Sequence, residues 1–124
     1  MMKISQALFG HLLRTTELVN LIQGVHTHVP DNPKMPFIRV GDYVSDTWHK
    51  EYNCEVMHFK IEVFSDQAGA QECMNIMAAL EQACLSFQAP EAVHYKIAER
   101  SITQVPQAKQ TWHGNLTFKI WILI

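Results

Sequence analysis

Met57, Phe59, Ile61 and Val63 hold every second position between Glu55 and Phe64, with His58, Lys60 and Glu62 between them. Successive side chains of a strand point to opposite faces, so this pattern predicts a half-buried strand over 55–64. Downstream the period changes. Cys73, Ile76, Met77, Leu80, Cys84 and Phe87 recur at intervals of three and four, which is the spacing of a helix with one buried stripe. Ser65 or Asp66 is the expected cap of this helix, Pro90 its limit, and its length about five turns at 3.6 residues each. A strand and a helix with one apolar face each must bury those faces together. A layer of helices on a sheet follows, and a chain of 124 residues is long enough to build it as one domain, residues 1–124.

The flanking segments fit that architecture. Ile4, Ala7, Leu8, Leu12 and Leu13 recur at helical spacing, and Leu18, Leu21 and Ile22 continue the stripe after Thr15 or Thr16, either of which can cap. Residues 3–23 read as a helix pair or one broken helix, with Gly24 where a helix commonly ends in a left-handed residue. Val25 to Val29 is a short strand. Pro30, Asp31, Asn32, Pro33 and Pro36 forbid regular structure by missing N–H groups and local side-chain bonding. Phe37 to Val44 reads as a strand, and Ser45 to Asn53 as a polar loop carrying Trp48 and Tyr52. Val93–Val105 and Thr111–Leu123 form a final strand pair joined by the loop Pro106–Gln110. The expected fold class is α+β: a mostly antiparallel sheet of four to five strands, with an N-terminal helix pair and one long helix packed on it.

Composition narrows the function. Hydrophobic residues make up 48% and charged residues 18%, and the net charge is −2; a globular chain is expected, without a field that draws in nucleic acid. No apolar run approaches the ~20 residues of a membrane span, and no secretory signal is legible at the start, so a reducing cytoplasm is the expected place of synthesis. Seven histidines invite a metal site. His26 and His28, two apart on a strand, point the same way, and His49, His58, His94 or His113 is the third ligand such a site needs. None of them stands at a recognised ligand spacing, so the expectation is solvated strand histidines, with no metal and no cofactor. Cys73 and Cys84 fall on the helix stripe as small hydrophobes, leaving Cys54 as the one plausible reactive thiol, with no activating base adjacent in sequence. No glycine-rich loop cradles a phosphate. A non-enzymatic role is expected.

Trp48, Trp112 and Trp121 stand in or beside polar segments or on a polar strand face, where aromatic residues are enriched at protein interfaces. Phe118 and Ile120 alternate with Lys119 and Trp121, so the first pair faces the core and the second faces away. Trp48, Trp121, Lys119 and Lys60 are the candidate subunit interface. For Trp121 two readings stand side by side: an anchor for a neighbouring subunit, or a residue covered by the first helix of its own chain.

The order of segments is distinctive. "ISQALFGHLLRTTELVNLI" runs through a glycine into "VHTHVPDNPKMPFIRVGDY"; the strand "EVMHFKIEVFSD" precedes the helix "QAGAQECMNIMAALEQACL"; "HYKIAERSITQVP" and "TWHGNLTFKIWIL" close the chain. From about Ile4 to Leu123 this layout resembles the small tail completion, or tail terminator, proteins of long-tailed bacteriophages, prophages and gene transfer agents. The closest local matches are "MPFIRVG", the strand ending in an aromatic residue plus "SD", and the final "F-x-I-W" strand. The resemblance implies a virion structural subunit made in the bacterial host cytoplasm. It would form a ring, typically sixfold, that ends tail-tube growth and meets the head connector. Its partners would be copies of itself, the tail-tube protein and the head–tail connector protein, with DNA only in transit and no membrane. The resemblance gives His26 and His28 no ligand role. The alternatives are another neck or tail-tube subunit, separable by its gene neighbourhood, and a small module binding metal or ligand through His26, His28 and His49.

Overall fold

The computed structural model describes residues 4–49, 54–67, 69–90, 92–105 and 111–123. In chain order they form α1 (Ile4–Arg14), α2 (Thr16–Val19), β1 (Gly24–His26), β2 (Phe37–His49), β3 (Cys54–Ser65), α3 (Gln71–Leu85), β4 (Ala92–Gln104) and β5 (Trp112–Leu123). The fold is α+β, with the helix pair, the long helix and a single five-stranded sheet in the order β1-β2-β3-β5-β4. The pairs β2–β3, β3–β5 and β4–β5 are antiparallel, and β1 lies parallel to β2.

The alternation in β3 sets the core. Phe59 is in register with Phe118, Ile61 with Leu116 and Met57 with Ile120, and all six are buried. Against this face α3 lays Cys73, Ile76, Met77, Leu80, Ala83 and Cys84, while α1 adds Ile4, Leu8 and Leu12 and α2 adds Leu18, all in one cluster. Gly114 permits the close approach of α3 to β5, because a Cβ there would stand 2.7 Å from the Met77 Sδ. The imidazole of His11 fastens α1 to the end of α3. Its Nε2 lies 2.8 Å from the Ala83 carbonyl and 3.1 Å from the Ser86 hydroxyl, and its ring packs on Phe87. Among the described residues no helix is long and apolar enough to cross a membrane.

Several boundaries differ from the sequence reading, each for a physical reason. β2 continues to His49, through what reads as a polar loop, because β3 pairs with it as far as His49↔Cys54. Residues 50–53 of that loop lie outside the described residues. Neither Ser65 nor Asp66 caps α3. Ser65 is the last residue of β3, its hydroxyl donates to Glu72 at 2.5 Å, and Ala70 takes the cap position without a side-chain bond. The chain turns into the helix at Gly69, whose φ of +82° suits a residue with no Cβ. α3 is 15 residues long, about four turns rather than five, and Phe87 is buried just beyond its end. Thr15 holds the backbone cap position of α2, accepting from Val19 N–H at 2.9 Å, but its hydroxyl turns back to the His11 carbonyl. Gly24 is not a left-handed helix terminus. It opens β1, which is drawn against β2 by a bond from Gln23 N–H to the Pro36 carbonyl. β1 ends at His26, short of the expected Val29, and His28 lies beyond it in a bend, exposed.

Candidate functional site

The second face of the sheet stands apart from the helix-covered core. Phe37 and Val56 are as buried as core residues, at 4% and 5% exposure, yet neither belongs to the core cluster. Phe37 is in register with Phe64 and Val56 with Trp121, one residue out of phase with the core pairs. Phe37 is buried by rings on the same face. At one end a ladder of rings crosses four strands: His26 meets Phe37 edge-on at 5.7 Å, Phe37 stacks on Phe64 at 4.9 Å, and Phe64 stacks on His113 at 4.7 Å. Ring pairs across strands stabilise a sheet beyond the area they bury.

Beside the ladder lies a charged cluster. Glu62, opposite Arg39 in the β2–β3 register, is only 8% exposed. Its Oε1 accepts from Arg39 Nη1 at 2.6 Å and its Oε2 from His113 Nε2 at 2.7 Å. Burial raises the carboxyl pKa, but the hydrogen bonds from His113 and Arg39, with the charges of His113 and Lys60, outweigh it and hold Glu62 below the ordinary 4.5. Both oxygens are engaged and the acid is strengthened, the reverse of what a general base at neutral pH requires. The cluster ties β2, β3 and β5 together across their polar face.

The other end of the face carries the residues singled out from the sequence. Lys60 is exposed, opposite Thr117; Lys119 is half-buried, opposite His58 on β3 and Lys96 on β4. Trp121 is half-buried and packs on His94 at a ring distance of 4.8 Å. The fold therefore brings Lys60, Lys119 and Trp121 onto one face, opposite the fully buried Phe118 and Ile120. The buried side chains of α1 belong to the core cluster, and Trp121 does not. The backbone of Trp48 is part of β2, and its side chain lies outside the described residues.

The histidines do not converge. His26 is spent on the ring ladder, His113 on Glu62 and His94 on Trp121, and the side chain of His49 lies outside the described residues. Among the described residues no group of three or more His, Cys, Asp or Glu could hold a metal ion. Cys73 and Cys84 are free and buried. Burial pushes their thiols up to about 11 and about 12, so neither is a thiolate nucleophile at neutral pH. The side chain of Cys54 lies outside the described residues. The Arg39–Glu62–His113 cluster was missed from the sequence. The available signal was that Arg39 and Glu62 each alternate with core residues on neighbouring strands.

The family model described as tail completion protein gp17 matches residues 6–123. The chain belongs to this family. No curated protein gives a significant match. Among solved structures the chain is similar to one from the "Virion of native gene transfer agent (GTA) particle". The two share 21% sequence identity with a TM-score of 0.81, over 96% of this chain and 93% of that one. At that identity the likeness is one of fold. Tail completion proteins of this family are structural tail components, which agrees with a face built of paired charges and stacked rings, and with strongly protonated, buried thiols.

Proposed function

We propose that this chain is a tail completion, or terminator, subunit whose copies close into a ring at the head-proximal end of a tail. The ring ends tail-tube growth and presents a surface to the head–tail connector. The observation that carries this reading is the family match over residues 6–123. It is supported by a sheet face that lies outside the core cluster and carries Trp121, Lys119 and Lys60 together. A large aromatic among charged groups is the composition of an interface anchor. Contacts between unlike patches of successive subunits close because the rotation closes, and six subunits is the expected number. Each stable contact would bury on the order of 1,600 Å². DNA passes through without being held, since a chain of net charge −2 offers little to a phosphate backbone. Assembly takes place in the bacterial cytoplasm, the partners being copies of the chain, the tail-tube protein and the connector. Electron microscopy of the purified protein, alone and mixed with tail tubes, tests this reading. A closed sixfold ring, free or seated on tube ends, is expected. A chain that stays monomeric at every concentration and leaves tube ends bare overturns it.

A further inference from the structure

Among the described residues, each long border of the sheet has a stretch with no further strand paired to it. β4, 13 residues long, is the last strand on one side. On the other side β1 covers β2 only from Phe37 to Arg39, so β2 from Val40 to His49 has no strand beside it among the described residues. An open strand edge is a row of unsatisfied N–H and C=O groups and a template for another strand. Natural edges are blunted by bulges and charges, and β4 carries both: register shifts between Ala92 and His94 and between Ile97 and Glu99, with Lys96 between them. Such an edge refuses indiscriminate pairing and admits a complementary strand.

The charges say which strand. Lys96 lies directly opposite Lys119, two lysines facing each other across neighbouring strands. Like charges in register destabilise a sheet. Neither lysine forms an ion pair among the described residues. Of the described carboxylates on this face, Glu62 is already held by Arg39 and His113, and Glu99 stands opposite Thr117 without an ion pair. The open stretch of β2, Val40–His49, contains Asp42 and Asp46 and no Lys or Arg. Asp46 is placed in register with Val56, the residue that is itself opposite Trp121.

We infer that successive subunits join through these two borders. The open stretch of β2 in one copy pairs with β4 of the next, which sets an acidic strand beside the Lys96–Lys119 pair. The contact joins opposite sides of the molecule, so it is heterologous and can propagate to a closed ring. An added strand would also lie over the groove of about 520 Å³ between α3 and β4, walled by Met74, Met77, Ile102 and Trp112. This inference rests on the ring reading and adds to it the strands that meet.

Charge reversal with rescue tests it, using the full chain and counting rings by electron microscopy and light scattering. Lys96→Glu removes a like-charge pair within the subunit, so the monomer should melt no lower than the parent. Ring yield should fall about tenfold, because an acid then faces an acid. Asp46→Lys should give a similar loss, and Lys96→Glu combined with Asp46→Lys should restore most of the yield. If the parent forms rings and either reversal leaves them intact, the strand pairing is overturned while the ring reading stands. Two impaired single variants with no recovery in the double also overturn it. Rings that survive Lys96→Glu but bind duplex DNA less tightly would reassign the lysine pair to nucleic acid. A parent that never forms rings removes both readings.

Discussion

The two faces of the sheet are built from the same strands by opposite means. On the helix side, Phe59, Ile61, Leu116 and Phe118 reach zero exposure by packing under α1 and α3. On the other side, Phe37 and Glu62 come within a few per cent of that burial while lying outside the core cluster, shielded by stacked rings and paired charges. The first face is stabilised by non-directional apolar burial, which tolerates change while volume is kept. The second depends on directed contacts between particular partners, which fail singly. A face of the second kind can stay in water and still hold its shape, which is what a docking surface requires.

The largest effect should separate the faces most clearly. Phe118→Ala empties a fully buried site and should cost about 3–5 kcal/mol, enough to unfold a marginal domain, as read by thermal or urea denaturation. Trp121→Ala, three residues on, should cost the monomer no more than about 2 kcal/mol while removing the proposed ring. Equal losses of stability at the two positions would erase the distinction between the faces.

Glu62→Gln comes next, at about 1–3 kcal/mol, because Arg39 and His113 lose their acceptor. The sign with pH follows from its lowered pKa. The stabilisation is present above the ordinary value of 4.5 and is lost as pH falls through the folded-state pKa, so parent and variant should converge in stability below about pH 4.5. A constant gap across that range would show that the hydrogen-bond shape, and not the charge, carries the effect. The smallest change is His28→Ala, exposed and beyond β1, expected within about 0.5 kcal/mol. His26→Ala, which loses an edge contact to Phe37, should cost somewhat more, about 0.5–1 kcal/mol. Neither should release a metal ion, which elemental analysis of untagged protein can check.

What was legible in the sequence divides along the same line. β3, α3 and β5 are readable because their apolar positions repeat within one window, and the faces assigned to Phe118, Lys119, Ile120 and Trp121 are the faces they occupy. β2 beyond Val44 is not readable. Its Ser, Asp and Thr have the composition of a loop, and only pairing with β3 makes a strand of them. Ser65 illustrates a local rule outbid by its neighbour: a good capping residue was taken up as the end of β3. The Glu62 cluster joins residues 23 and 51 positions apart, beyond any local period, so an alternating acid reads as solvated when it is buried.

The two protonated thiols beneath α3 have a practical use. Cys73 and Cys84 are fully shielded in the folded subunit, so a thiol-specific dye can reach them only when the long helix lifts from the sheet. In a Cys54→Ser background the rate of dye uptake becomes a clock for that lifting. Comparing free subunits with the proposed ring would measure, with no cysteine introduced for the purpose, how far assembly slows the opening of each subunit.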